Sequence, residues 1–389
     1  MFLCSFTSSS CSSSPDTNAH DAPAPLTLTV PATCPGSTSY TLSIDRQLAT
    51  TQEQPNALLL HDDLLYIVES GANAISTYDT SSRRYTPNVI DVGNDKNPYD
   101  IALTPDGELA IIPNYLAGTF SIADPLSGAI LHESAPSPAI FNPSGVAAST
   151  DHIYISDVAF GRGEDGFGEG AIHVFDRSSF GYIGALETQA KNPQYLTFLP
   201  DEDALLITQT GPLGFSSGRY AQMGDAGITI LSNLSDNDPL SPSSTHLTLP
   251  PRPEARQDPA PGRPMITQSQ RAYFVSATSP TLLSLDLETS TWLRGPEAPI
   301  LLYEASGDAL HAGALAGDDL LLILSYNQDA LYIVDTSCDE VIAGPIDLGL
   351  SSEDLEGPLA IVTDGALRAY FVTSLSKRLG AITLTPNLP

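Results

Sequence analysis

Residues 97–131 read NPYDIALTPDGELAIIPNYLAGTFSIADPLSGAIL, and this stretch decides the fold. It holds two short runs of aliphatic, β-branched and aromatic residues, 109–115 and 119–125, bounded by turn residues, which predicts a pair of strands. Seven such pairs follow one another along the chain. Their first members, here called the middle strands, lie at 64–70, 109–115, 152–158, 205–210, 272–278, 320–326 and 369–375. Their second members, the third strands, lie at 74–80, 119–125, 171–177, 227–233, 282–287, 330–336 and 380–385.

The spacing within the repeat is constant in five of the seven copies. Thirteen residues separate Tyr66 from Asp79, Ile111 from Asp124, Tyr273 from Asp286, Leu322 from Asp335, and Tyr370 from Thr383. The other two copies carry insertions at about 158–170 and 210–226. An inner strand precedes each middle strand, starting at or near Pro55, Pro98, Pro143, Pro193, Pro264, Ala312 and Pro358. A unit that recurs seven times along the chain in this way is typical of a repeat fold.

The number of outer strands indicates how the first and last copies of the repeat are joined. Six copies are followed by an outer strand, at 88–93, 129–133, 182–187, 246–250, 291–295 and 342–349. The seventh has none, which would leave an unpaired sheet edge. The alternating segment SYTLSID (39–45) is a spare strand, and we expect it to pair with the last copy. The sequence therefore predicts an all-β, single seven-bladed β-propeller over residues 25–389, with blades from about 53 to 389 and closed by an N-terminal outer strand.

The repeat resembles a known family. The stretch 97–131 and YIVESGANAISTYDTSS in the first copy are similar to the YVTN-type propeller repeat, and the resemblance covers roughly 53–389. It implies a fold and no activity. Some members of that family are surface-layer proteins, and lactonases acting on sugar acids have a similar propeller.

Charge limits the partners. The chain has 46 acidic and 16 basic residues and a net charge of −30. Nucleic acid and anionic membrane surfaces would be repelled, so we expect neither as a partner. The charge suits a soluble surface in a salty or extracellular medium, with a cation-binding role as the alternative.

Residues 1–24 differ from the rest of the chain. A brief apolar start is followed by Ser-rich sequence around Cys11 and a Ser/Pro/Asp/Ala linker. This resembles the end of a bacterial lipoprotein signal with its tether, so Cys11 is a candidate for lipidation. The alternative is an ordinary N-terminal tail. We expect the protein to be exported, to the periplasm or cell surface, and to contact the membrane only if Cys11 carries a lipid anchor.

Two cysteines remain outside that leader, Cys34 and Cys338. In a closed ring, Cys34 precedes the outer strand of blade 7, and Cys338 follows the third strand of blade 6. Both would lie on one face of neighbouring blades, so a disulfide is expected, with two unrelated thiols as the alternative. No CxxC motif or Cys/His cluster predicts a metal site.

Motifs that carry chemistry are few. Gly161-x-Gly163-x-x-Gly166 matches a dinucleotide fingerprint, but no βαβ unit surrounds it, so we interpret it as an inserted loop. We expect no cofactor; Ca²⁺ at the loop carboxylates of Glu164, Asp165 and Glu169 is the alternative. The aspartates that recur at the ends of third strands are expected to cap turns. No G-x-S-x-G elbow is present, and no catalytic residue is assigned.

A binding surface is predicted on one face of the ring. The loops between middle and third strands share this face with the loops between blades, and the insertions at 158–170, 210–226 and 250–264 all fall there. Loops on a rigid frame commonly carry recognition. The candidate ligand-binding residues at the channel mouth are Glu69, Tyr99, Asp100, Asn114, Asp157, Tyr195, His311 and Glu356.

These features favour a non-enzymatic exported propeller. It would act as a binding or scaffold module for a protein, glycan or small ligand through the decorated face. The alternative is a hydrolase, lactonase or lyase-like enzyme that uses acidic and His residues at the channel mouth. His311 has a second interpretation, as a structural histidine.

Overall fold

The computed structural model describes residues 24–135, 140–162, 166–216, 219–234, 238–252, 257–303, 310–350 and 354–387. This part of the chain consists of β-strands with two single-turn 3-10 helices, Ser70–Ala72 and Pro200–Glu202. None of the helices described there is long and apolar enough to span a bilayer.

The strands form seven blades, each an antiparallel sheet with its inner strand first. Two N-terminal strands precede them, β1 (Leu26–Val30) and β2 (Tyr40–Thr50). Blade 1 contains β3 (Pro55–His61), β4 (Leu64–Glu69), β5 (Ala74–Asp79) and β6 (Arg84–Asp91). Blade 2 contains β7 (Ala102–Leu103), β8 (Ala110–Asn114), β9 (Thr119–Ala123) and β10 (Ile130–Glu133). Blade 3 contains β11 (Pro143–Ala148), β12 (His152–Asp157), β13 (Ala171–Asp176) and β14 (Tyr182–Glu187).

Blades 4 and 5 carry additions to this plan. Blade 4 contains β15 (Pro193–Leu199), β16 (Ala204–Gln209), β19 (Ala226–Ser232) and β20 (Ser243–Leu249), with an inserted hairpin of β17 (Leu213–Ser216) and β18 (Arg219–Gln222). Blade 5 contains β21 (Pro261–Ile266), β22 (Arg271–Ser276), β23 (Thr281–Asp286) and β24 (Thr291–Arg294), and the short β25 (Ile300–Leu301) also pairs with β23. Blade 6 contains β26 (Leu310–Ala316), β27 (Leu320–Ser325), β28 (Ala330–Asp335) and β29 (Glu340–Asp347).

Blade 7 joins the two ends of the chain. Its own strands are β30 (Pro358–Thr363), β31 (Arg368–Thr373) and β32 (Arg378–Pro386), and β2 pairs with β32. Leu42 faces Leu384 and Ile44 faces Ile382, so the predicted closure of the ring is confirmed. The closing strand is longer than the predicted 39–45, and β1 adds a fifth strand that the sequence did not indicate.

The core lies between neighbouring blades. Middle strands are buried along their length, as in β27, whose six residues LLLILS are all buried. Between blades 5 and 6, Tyr273 and Val275 pack with Ile323 and Tyr332. Sheets covered on both faces take such continuous apolar runs. The blades thus form a packed frame that fixes the inner strands around a central channel.

The turns between third and outer strands lie on the face opposite the starts of the inner strands, and aspartates cap them. Asp79 Oδ1 accepts the backbone N–H groups of Ser81 and Ser82 at 2.9 and 2.8 Å. These bonds, with the Ser81 hydroxyl, lower the pKa of Asp79 to about 2. Asp124 and Asp286 accept backbone N–H groups in the same way. The recurring aspartate therefore stabilises the turn after each of these third strands.

Each inner strand begins with one extra residue. In blade 1, Pro55 pairs with Glu69 but Ala57 pairs with Val68, which leaves Asn56 as the extra residue. The same shift occurs in the other six blades. A bulge of this kind bends a strand and redirects its side chains. All seven bulges lie at the end of the channel where the inner strands start, which we call the channel mouth.

Candidate functional site

One register position distinguishes the blades at the channel mouth. It is the second residue after the first paired residue of each inner strand, which in blade 2 is Pro98, bridged to Asn114 just ahead of β7, and we call it the mouth position. Its occupants, from blade 1 to blade 7, are Ala57, Asp100, Gly145, Tyr195, Arg263, Ala312 and Ala360. Four blades have Ala or Gly there, and blades 2, 4 and 5 have large polar side chains.

Those three side chains meet across the channel. Arg263 Nη2 donates to Asp100 Oδ2 at 2.6 Å. Blades 2 and 5 are three steps apart in a ring of seven, so this ion pair spans the channel. The Arg263 guanidinium also lies 5.2 Å from the centre of the Tyr195 ring. A second bond crosses from blade 4 to blade 2, where Gln194 Nε2 donates to the Tyr99 hydroxyl at 2.8 Å. We call these five residues the mouth cluster.

The charges of the mouth cluster are set by burial and by the ion pair. Burial raises the pKa of both Tyr99 and Tyr195, so their hydroxyls stay protonated at neutral pH. Burial opposes the charge of Arg263, but the Asp100 carboxylate outweighs it and raises the pKa of Arg263. The Asp100 side chain is 5% exposed and that of Arg263 is 42% exposed. The carboxylate is therefore enclosed while the guanidinium still reaches water.

Neighbouring residues hold the cluster in place. The Tyr99 ring packs against Tyr115 with centroids 5.3 Å apart, and Asn56 Nδ2 donates to the Tyr99 carbonyl at 2.6 Å. The Ser144 hydroxyl donates to the Gln194 carbonyl at 3.2 Å. A Cβ on Gly145 would lie 2.7 Å from that same carbonyl oxygen, so blades 3 and 4 approach closely only because glycine stands there.

The predicted residues at the ends of middle strands occupy a different place. They belong to a set of seven polar side chains, all buried, that we call the buried polar ring. Its members are Glu69, Asn114, Asp157, Gln209, Ser276, Ser325 and Thr373. Glu69 accepts from the Gln52 backbone N–H and the Tyr85 hydroxyl, both at 2.7 Å, and also from Ser76.

Asp157 of the buried polar ring also bonds to the segment that precedes its blade, whereas Asn114 bonds within its own blade. Asp157 accepts the N–H groups of Phe141 and Asn142 at 2.8 and 2.9 Å. Burial would raise the pKa of Asp157, but His173 and these N–H groups lower it. Asn114 donates to Thr119 and Ser121, and its own side-chain oxygen has no partner among the described residues. The bonds of Glu69 and Asp157 fasten loops to blades.

Two further predicted residues lie in blades 6 and 7. Glu356 forms a buried ion pair with Arg378, and it accepts the Leu350 N–H at 2.6 Å and the Ser376 hydroxyl at 3.2 Å. It is thus engaged within blade 7. His311 belongs to β26, one residue before the mouth position, but its side chain lies outside the described residues.

The insertions lie on the face that contains the channel mouth. The first joins middle and third strands of blade 3, where Phe160 and Phe167 form an isolated bridge. The Arg162 guanidinium lies 3.3 Å from the centre of the Phe141 ring. The second insertion forms the β17–β18 hairpin. In the third, between blades 4 and 5, the buried Asp258 accepts the Arg252 N–H at 2.8 Å.

The cysteines pair across two blades. Cys34 and Cys338 form a disulfide in the structure, with Cα atoms 6.1 Å apart. Among the described residues, their sulfurs and Glu340 are the one group of possible metal ligands whose atoms lie close together. Cys11, Glu164 and Asp165 lie outside the described residues, and Glu169 Oε1 lies 3.9 Å from Lys191 Nζ.

The residues predicted from the sequence include Tyr99, Asp100 and Tyr195 of the mouth cluster and omit Arg263 and Gln194. The predicted start of the fifth inner strand near Pro264 is wrong, because the strand begins at Pro261. Aligning all seven strand starts would have placed Arg263 at the mouth position. The signal was a large charged residue at a repeat position that otherwise holds Ala or Gly in most blades.

Fold and site together define a seven-bladed β-propeller whose channel is crossed at one end by a polar cluster. No family model and no curated protein matches the chain. Among solved structures, the chain is similar to a catalytically inactive variant of virginiamycin B lyase from Staphylococcus aureus with quinupristin. The identity is 16% and the TM-score 0.63, over 88% of this chain and 99% of that one.

Two further structures extend the comparison. A streptogramin B lyase is 14% identical with a TM-score of 0.62, over 88% of this chain and 98% of that chain. The WD40 repeats of RRP9 are 12% identical with a TM-score of 0.61, over 88% and 97% of the two chains. At such low identity these similarities establish the fold alone.

Proposed function

We propose that the protein is an exported, non-enzymatic binding module that takes a small ligand at the channel mouth. The mouth cluster carries this proposal, because Asp100, Tyr195 and Arg263 replace the small residues of four other blades and converge from three blades. Ligand sites are commonly built in this way, from a few polar groups held by a rigid frame. The Cys34–Cys338 pair supports export, since disulfides persist in oxidising compartments.

A lyase-like enzyme is the second candidate. The similarity to virginiamycin B lyase and streptogramin B lyase supports it. Such an enzyme would need a general base at the mouth. Asp100 is the carboxylate of the mouth cluster, and Arg263 holds it as an ion pair.

Thermal unfolding with small probes tests the binding function. A ligand that binds the folded state raises the melting temperature. Suitable probes are benzoate, benzamide, benzamidine, inorganic phosphate and maltose. At least one should stabilise the unaltered protein but not the Tyr195→Ala variant. Tyr182→Ala is the matched control, because Tyr182 is 53% exposed on the outer strand of blade 3.

Three results would count against the binding function. One is a shift that persists in Tyr195→Ala, and another is no shift with any probe. The third is conversion of quinupristin, seen as a new chromatographic peak that Asp100→Asn abolishes, which would establish the lyase-like alternative.

A further inference from the structure

The Arg263 guanidinium has unused hydrogen-bonding capacity. A guanidinium carries five N–H donors. Among the described residues, the one hydrogen bond that Arg263 makes is from Nη2 to Asp100. Its face is covered by the Tyr195 ring, while 42% of the side chain is exposed. The remaining N–H groups therefore lie at an edge that water or a ligand can reach.

The tyrosines of the mouth cluster also present donors. The Tyr99 oxygen already accepts from Gln194, so its own proton is free to be donated. The Tyr195 hydroxyl has no hydrogen-bond partner among the described residues. Burial raises the pKa of both groups, so each remains a neutral O–H donor over the physiological range.

Donors outnumber acceptors in the same place. Besides the hydroxyls, the acceptors of the mouth cluster are the Asp100 carboxylate, which is 5% exposed and already bonded to Arg263, and the Gln194 side-chain oxygen. A wall whose donors outnumber its acceptors suits a ligand that is itself rich in acceptors. We infer that the ligand bears a carboxylate that binds the free edge of the Arg263 guanidinium, an inference that rests on the proposed binding function.

Geometry and charge favour a carboxylate over other acceptors. A planar carboxylate can accept two parallel N–H groups from one edge of a guanidinium. Asp100 already neutralises Arg263, and the chain as a whole carries a charge of −30. A doubly charged phosphate would meet more repulsion than a singly charged carboxylate. Tyr195 and Tyr99 offer rings against which an apolar part of the ligand can pack.

Asp100 competes with the ligand in this arrangement. Both carboxylates attract the same guanidinium and repel each other. Asp100→Asn keeps the size of the side chain and removes its charge, so the ligand carboxylate should bind more tightly. A ligand that were a cation would show the opposite response, because it would depend on Asp100.

Isothermal titration with three probes of similar shape tests the inference. Benzoate, benzamide and benzamidine carry negative, zero and positive charge. Benzoate should bind the unaltered protein. Arg263→Gln should weaken benzoate binding roughly 10- to 100-fold, because a charge-assisted pair is lost. Asp100→Asn should tighten benzoate binding about 3- to 10-fold. The benzoate affinity of Arg263→Lys should lie between that of Arg263→Gln and that of the unaltered protein.

Arg294→Gln is the matched control. It removes the same charge from the same blade, on the outer strand, where the side chain is 43% exposed. Benzoate affinity should change less than about twofold in this variant, since exposed charges act weakly at a distance. Circular dichroism and the melting temperature confirm that each variant is folded.

The failures are distinguishable. If benzamidine binds and Asp100→Asn abolishes its binding, the ligand is a cation and the carboxylate inference is overturned while the binding function stands. If benzamide and benzoate bind equally in all variants, the inference is likewise overturned. If no probe binds the unaltered protein in either assay, both the inference and the proposed function fail.

Discussion

Reduction of the Cys34–Cys338 pair tests how the ring is held closed. Cys34 lies between β1 and β2, and Cys338 follows β28 in blade 6. The bond encloses a segment with a sequence separation of 304 residues, which contains blades 1 to 5 and the first three strands of blade 6. Cys338→Ser or a reductant removes this link but leaves the pairing of β2 with β32 intact. The folded ring should therefore survive, with a smaller free energy of unfolding.

The size of the loss follows from the length of the loop. A cross-link lowers the entropy of the unfolded chain by an amount that grows with the logarithm of the loop length. For a sequence separation of 304 residues, this model gives about 6 kcal/mol at 25 °C. Measured disulfides more often contribute about 2–4 kcal/mol, so we expect a loss between these figures.

Guanidinium unfolding followed by tryptophan fluorescence measures this loss. Trp292 is the single tryptophan, and its ring lies 6.4 Å from that of Phe274 in the fold. Cys34→Ser, Cys338→Ser and the double variant should share one lowered midpoint, equal to that of the reduced protein. The double variant retains Cys4 and Cys11, so its insensitivity to reductant assigns the effect to one pair. If the unfolding midpoint of the unaltered protein were the same with and without reductant, the reasoning would be refuted.

Three further predictions concern the closing strand, the blade contacts and the turns. Ile44→Ala should cost about 2–5 kcal/mol in unfolding free energy, because Ile44 is fully buried; Leu28→Ala, at 38% exposure, should cost far less. Gly145→Ala should cost about 1–3 kcal/mol, measured by the same unfolding midpoint, because its Cβ would press on the Gln194 carbonyl. Hydrogen bonds from Ser179 and Ser178 lower the pKa of Asp176 from 3.8 to about 2. Its stabilising effect should therefore be present above pH 4 and lost as the pH falls towards 2, and Asp176→Ala should weaken that pH dependence of the midpoint.

The fold could be predicted because each copy of the repeat contains a recognisable local sequence pattern. Middle strands are buried on both faces, so runs such as LLLILS in β27 stand out wherever they occur. The closing strand was found by its alternation, with Leu42 and Ile44 pointing into the core. Its extension to Thr50 and the added strand β1 were missed, since β1 is largely exposed and carries only a weak pattern.

The site was harder to predict because its contacts are not local. Asp100 and Arg263 are 163 residues apart and touch only because the ring brings blades 2 and 5 face to face. Inner strands lack the continuously buried runs of the middle strands, as in β3, where Pro55 and Ala57 are buried but the residues that follow are only half-buried or exposed, so their registers are weakly marked in sequence. A shift of three residues at Pro264 was enough to hide Arg263.

Comparison among the blades separates structural from functional polar residues. Taken one at a time, Glu69, Asn114 and Asp157 are as good candidates for ligand binding as Asp100. Their position, however, holds a buried polar residue in all seven blades, so it serves a need that every blade shares. The mouth position is different, because most blades keep it small and only three fill it. A departure from the repeat that is confined to Asp100, Tyr195 and Arg263, and that brings them into contact, serves no need of the repeat itself.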